Sequence, residues 1–302
     1  MKKIPFIYPV LFFSIILFNC QRGLVKPAAE SCPFDYSELH FTGAPLAQAK
    51  CLLRPVEKYA HLSEPLDSLP APLERLIGNP VKLDKSVVRQ YLRLKGVKEK
   101  DLGGSLDMPL SRTNDNDPEA PYARYFIIHD TSTPNYLDQP IPPDINKRGW
   151  KHNDLKRWAE GEKSKGHVFI NRLGESITAV DFSTPWRGTK MEVKILKKRG
   201  KGLCLNIEMV QPRRSDPNGP PGNDAIAPIP GFTDAQLERL ALVYIAASVR
   251  RGRWLIPAYH AAFDAGIPDA HDDPQNFDLK RWAALLNELI IEIETISINE
   301  QA

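Results

Sequence analysis

The chain has 302 residues, 42% of them hydrophobic and 25% charged, and carries a formal net charge of +3. That length suits one large domain or two small ones. So small a charge leaves no electrostatic case for a nucleic-acid partner, and the absence of repeats or low-complexity tracts argues against solenoid and fibrous folds.

Taken in order, residues 1–20 read as a signal peptide: Met1-Lys2-Lys3 is a basic start, residues 4–18 are apolar, and Asn19-Cys20 ends the run too soon for a membrane span. Leu17-Phe18-Asn19-Cys20 resembles a loose bacterial lipobox, in which Cys20 becomes the lipidated first residue. Phe18 and Asn19 depart from the small residues usual there, and an ordinary signal peptide with a coincidental cysteine is the alternative. Gln21 is not the Asp that would suggest inner-membrane retention. The expectation is therefore an exported monomer, an outer-membrane lipoprotein facing the periplasm and anchored through Cys20, with residues 21–30 as a tether. In such a compartment thiols can oxidise, and Cys32 and Cys51 are close enough in sequence to close a small loop. Cys204, in a strand-like run, reads as a buried apolar thiol, with a metal ligand as the alternative.

Residues 31–115 read as a partly helical N-terminal extension packed on the domain that follows. Helical spacing of Val87, Val88, Tyr91 and Leu92 predicts a helix over 85–94, with Gly96 as its stop. The turn-rich run 114–118 marks a boundary, and residues 116–302 form the larger domain. Residues 124–131 predict a buried strand with His129 where it ends, the usual place for a site residue. Two Pro-rich loops, 130–151 and 211–231, are long enough to be functional and are expected to wall a groove. Strands at 166–171 and 175–180 form a hairpin around Arg172-Leu173-Gly174. Residues 203–210 alternate Leu203, Leu205 and Ile207 with Cys204, Asn206 and Glu208. A capping box at Thr233 and Gln236 starts a helix with Leu237, Leu240, Ala241, Tyr244 and Ser248 on one face and Gly252 as its stop. A last helix from near Asp278 buries Leu279, Trp282, Leu286, Ile290 and Ile293.

Between these two helices, residues 259–274 concentrate His260, His271 and the carboxylates Asp264, Asp269, Asp272 and Asp273. Imidazole and carboxylate are the ligands of catalytic Zn²⁺, three from protein with a fourth position for water. Each residue also has a plainer reading. A strand-end His serves as a structural hydrogen-bonder, and the Asp cluster can cap the final helix or bind Ca²⁺. His271-Asp272 could be the pair of a metal phosphohydrolase, but such pairs lie inside helices and here Pro268 and Pro274 flank it.

The order of the constellation resembles the zinc-dependent N-acetylmuramoyl-L-alanine amidases of the phage-lysozyme and peptidoglycan-recognition-protein type, over roughly residues 120 to 285. Their pattern is a strand ending in a His, an Ile-Glu pair in a later strand, then a His and an Asp-Pro ten to fourteen positions apart. Here these are His129, Ile207-Glu208, His260 and Asp273-Pro274. The resemblance implies an α/β fold, a central mixed β-sheet flanked by helices. It also implies Zn²⁺ on His129, His260 and Asp273, Glu208 as proton carrier, His271 facing the oxyanion, and peptidoglycan or muropeptides as substrate. His167, which opens the hairpin as in the family, is not counted as a ligand. Many relatives carry Trp-His-Ala-Gly where this chain has Trp186-Arg187-Gly188, a departure that concerns substrate contacts. A non-catalytic peptidoglycan-binding lipoprotein on the same fold is the rival reading.

Overall fold

The computed structural model describes residues 32–160 and 166–299; the residues read as a signal peptide and tether, Cys20 among them, lie outside the described residues. A small antiparallel ribbon, β1 (Phe34–Asp35) and β2 (His40–Phe41), leads into helices Pro45–Leu52, Ala71–Leu76 and Lys85–Leu94. A disulfide joins Cys32 to Cys51 across the ribbon and the first helix. The Lys85–Leu94 helix lies where its periodicity predicts: Asp84 caps it by accepting from Ser86 N at 2.7 Å, Val88, Tyr91 and Leu92 are buried, and Gly96 follows at φ 64°.

The strands β3 (Tyr125–Asp130), β4 (Val168–Ile170), β5 (Ser176–Thr178), β6 (Cys204–Met209) and β7 (Ile256–Tyr259) form one sheet in the order β5-β4-β6-β3-β7. All pairings are parallel except β4 with β5, so the sheet is mixed. The central strands β3 and β6 are buried along their whole length, as parallel strands covered on both faces must be. β7 is a strand that the sequence reading did not separate from its surroundings. Its Pro257 cannot donate to a ladder, and it is tolerated because β7 is an edge strand paired only with β3.

Helices cover both faces. Phe126 on one face meets Tyr244 of the Asp234–Arg251 helix, ring centroids 5.1 Å apart. That helix starts on the predicted capping box and stops at Gly252, φ 71°, and it packs against the Leu279–Asn299 helix. On the other face, the Tyr125 hydroxyl donates to Gln48 of the Pro45–Leu52 helix at 2.8 Å. The N-terminal extension is thus no separate lobe: Leu52, Val88 and Leu106 share one apolar core with Ile127, Leu205 and Trp282. It roofs the start of β3 through Phe41 and Gln48, both hydrogen-bonded to the Tyr125 hydroxyl.

Strand parity then sorts the functional side chains. In the β3–β6 ladder Ile127 lies opposite Asn206 and His129 opposite Glu208, so Asn206, Glu208 and His129 share a face. Ile127 lies opposite Ala258 of β7, and two residues on, His260 returns to that same face just past the strand end. Asp130, one residue from His129, points to the opposite face.

Candidate metal centre

His129, His260 and Asp273 converge as the sequence predicts. They are 2%, 4% and 2% exposed, and one ligand atom from each lies within 4.8 Å of the others. The two imidazoles present Nδ1 to Nδ1 at 3.0 Å, and Asp273 Oδ2 is 3.1 Å from His260 Nδ1 and 3.7 Å from His129 Nδ1. The outer nitrogens decide what these inner atoms are. His129 Nε2 faces Asn206 Oδ1 at 2.9 Å, and His260 Nε2 faces Asp264 Oδ2 at 2.9 Å. Both partners are acceptors, so each Nε2 carries the proton and each neutral ring turns a bare lone pair inward.

Two lone pairs and a carboxylate pointed at one another need a cation between them. Without a metal that cation is a proton on His260. Burial opposes the charge, but Asp273 and Asp264 override it and raise this imidazole well above its ordinary pKa. Burial and neighbouring His260 push His129 down to about 3, which keeps it neutral. Asp273 Oδ1 lies 2.9 Å from His260 Nδ1 without a hydrogen bond to it and has no other hydrogen-bond partner among the described residues. Donor chemistry, tautomers and this orphaned oxygen all fit a metal ion.

A second layer holds the rings. Asp264, fully buried, accepts from Lys190 N at 2.8 Å and Met191 N at 2.9 Å as well as from His260. Asn206 is oriented in turn by buried Glu192, whose Oε2 lies 3.5 Å from Asn206 Nδ2 and accepts from Gly188 N at 2.9 Å. Gly188 has to be glycine for this approach, since a Cβ there would sit 2.5 Å from Asn206 Cγ. None of Asp264, Asn206, Glu192 and Gly188 was assigned a role by sequence reasoning. Signals were present for two of them: Asn206 is a polar residue two before Glu208 in an otherwise apolar strand, and Asp264 lies four after His260 on one helical turn.

Asp130 and Arg213 fix the loop that carries Asp273. Both side chains are fully buried, and Arg213 Nη2 donates to Asp130 Oδ2 at 2.6 Å. The same oxygen accepts from Gln275 N at 3.2 Å, and Asp130 N donates to Asp273 Oδ2 at 3.1 Å. The end of β3 and the Asp-Pro turn are therefore one hydrogen-bonded unit. Arg213→Met leaves the Asp130 carboxylate buried and unpaired, and a loss of about 3–5 kcal/mol in urea unfolding is expected. A loss below about 1 kcal/mol would mean that the pair does not hold this turn.

Glu208, 8% exposed, places Oε1 4.0 Å from His129 Nδ1, beside the triad rather than in it. His271 stacks on His260 with centroids 4.8 Å apart and is 54% exposed at its side chain; burial of the rest and nearby His260 lower its pKa. His167 is not a ligand: its Nδ1 accepts from Asn206 N at 3.0 Å. Cys204 is buried, and its thiol pKa is raised by burial and by Glu192, outside the triad.

The triad opens into a cleft of about 920 Å³. Its walls differ from the expected pair of long loops. The first loop contributes only Asp130–Ser132 and the second only Asn223 and Asp224, whereas residues 186–190, Val193 and Lys194 supply more of the lining. The reason is apolar content: Ile145 and Trp150 fold the rest of the first loop onto Val210 in a small core of their own.

The chain matches no protein-family model and no curated protein. Among solved structures it is similar to the crystal structure of a selenomethionine derivative of AmpD, at 20% sequence identity and a TM-score of 0.36, over 62% of this chain and 98% of that one. A likeness that loose leaves the chemistry to be argued from this chain's own residues.

Proposed function

We propose that the chain is a zinc-dependent N-acetylmuramoyl-L-alanine amidase, hydrolysing the amide between the lactyl group of N-acetylmuramic acid and L-alanine in peptidoglycan. The observation that carries the reading is the convergence of two bare imidazole nitrogens and one carboxylate beside Glu208 at the floor of an open cleft. Two neutral ligands and one anion leave a divalent ion with net positive charge, the ligand set of hydrolytic rather than structural zinc. The substrate comes from the amidase-like order of motifs in the sequence.

His129, His260 and Asp273 would hold the ion. Zinc supplies Lewis acidity there, polarising a carbonyl oxygen and bringing a water's pKa to about 7. Glu208 takes a proton from the attacking water as the C–O bond forms and delivers it to the leaving nitrogen as the C–N bond breaks. The products are a lactyl carboxylate and a peptide with a free L-alanine amino terminus. His271, neutral and half-exposed above the triad, donates an N–H to the oxyanion that develops at the carbonyl.

The reading extends to location. The basic-apolar start, Cys20 and the Cys32–Cys51 disulfide support export as a membrane-anchored lipoprotein, and mass spectrometry of the mature N-terminus reads the acylated Cys20 directly. The test of the activity is digestion of purified peptidoglycan by the zinc-loaded protein. Free stem peptides beginning with L-alanine are expected by mass spectrometry. Binding to peptidoglycan without their release would select the non-catalytic lipoprotein instead.

A further inference from the structure

One residue of the substrate cleft comes from the N-terminal extension. Tyr59 lines it together with the triad, and its side chain is a large partly exposed surface, the residue being 39% exposed. It sits on a tight turn, Lys58–Ala60, in which Tyr59 (φ 58°, ψ 36°) and Ala60 (φ 59°) both take the left-handed conformation that glycine alone adopts without cost. Two successive strained residues in a loop persist only where the surroundings hold them, and such strain gathers at ligand clamps.

The surroundings are visible. Val56 and Leu62 bridge the base of the turn, and Lys58 Nζ pairs with Asp216 Oδ2 at 2.8 Å, tying the extension to the 211–231 loop. The Tyr59 hydroxyl is packed against Gly219, where a Cβ would lie only 1.8 Å from it. The phenol end is thus pinned to the loop, and the ring is the part left to border the cleft.

The two walls differ in charge. The same cleft is lined by Asn223, Asp224 and Asp272, and the cations near Tyr59 are both paired, Lys58 with Asp216 and buried Arg213 with Asp130. Residues 186–194 bring Arg187, Lys190 and Lys194 to the cleft, where Asp269, also lining it, pairs with Lys194 at 3.6 Å and leaves Arg187 and Lys190 as the cations of this wall. A muramyl peptide has the matching asymmetry. Its sugar is neutral, because the lactyl carboxyl is consumed in the amide, while its stem peptide carries free carboxylates. Carboxylates are repelled from the Tyr59 wall and attracted to the basic one. A pyranose ring presents a face of C–H groups, which suits the negative face of an aromatic ring.

The geometry points to Tyr59 as the sugar platform of the site, a specificity-determining residue supplied by the extension that seats the muramyl ring while the stem peptide lies along the basic wall. This rests on the muramyl-peptide reading above for the identity of the ligand.

The experiment measures binding by calorimetry of two probes to the zinc-loaded Glu208→Gln protein, with ligand integrity checked by mass spectrometry. One probe is an N-acetylmuramyl tripeptide; the other is the same tripeptide carrying an N-lactyl cap and no pyranose. The sugar is expected to tighten binding roughly five- to ten-fold. Adding Tyr59→Ala removes that advantage and leaves the lactyl probe unchanged, and Tyr59→Phe retains it. No sugar advantage before the Tyr59 change, an advantage that survives Tyr59→Ala, or equal weakening of both probes would each overturn the proposal, the last by showing a merely structural role. The readout needs no turnover. A Tyr59-dependent sugar preference in a chain that releases no stem peptides overturns the hydrolase reading alone, and stem-peptide release without that preference overturns the platform alone.

Discussion

Glu208→Gln lowers the rate of stem-peptide release by about 10²–10⁴-fold, the range expected when a positioned proton carrier is removed. The amide is nearly isosteric with the carboxylate, so packing beside Gly166 and His129 is kept while the basic oxygen is lost. Glu208 Oε1 is 4.0 Å from His129 Nδ1 and is not one of the three converging ligand atoms, so zinc content is expected to stay near about one per chain. The decisive comparison is kcat against metal content in the same preparation. Wild-type turnover in the Gln variant would remove Glu208 from the mechanism. Loss of zinc together with activity would instead make it a ligand, contrary to its place beside the triad.

On the proposed zinc site, His260→Ala is expected to abolish metal binding, and with it the stabilisation that a bound ion would confer on the folded chain. A ligand that binds only the native state at a thousand times its Kd adds about 4 kcal/mol, or about 10 °C in Tm for a chain of this size. His260 is held on both sides by carboxylates, Asp264 at Nε2 and Asp273 at Nδ1. Removing it takes away one lone pair and leaves Asp273 without the cation that holds its carboxyl well below the usual range. Metal analysis and melting curves with and without added zinc check the result. A variant that still binds about one zinc, or whose Tm still rises with zinc by the wild-type amount, would show that the metal sits elsewhere.

Much of the architecture is local and therefore legible in one chain. The helix over Lys85–Leu94 follows from four apolar positions and a stop glycine, and the Asp234–Arg251 helix from a capping box and Gly252. β3 and β6 follow from short apolar runs bounded by turns, and alternation along residues 203–210 already put Asn206 and Glu208 on one face. β7 was hidden because Pro257 speaks against a strand unless the strand lies at an edge, and edge position is a property of the sheet.

The same division runs through the site. The order and spacing of the motifs, through their resemblance to the amidases, nominated His129, His260, Asp273, Glu208 and His271, each of which has a plainer reading when taken alone. Which acidic neighbours serve other ends was decided only in three dimensions. Asp130 adjoins His129 in the chain but is turned by strand parity onto Arg213, and Asp264 is drawn behind His260 to set its tautomer. Asn206, Glu192 and Gly188 act through contacts made when distant segments pack. Tyr59 reaches the cleft because the extension shares the domain's core. Periodicity and capping are written in neighbouring residues; the tautomer of a buried imidazole and the charge of a cleft wall are set by whatever folding brings against them.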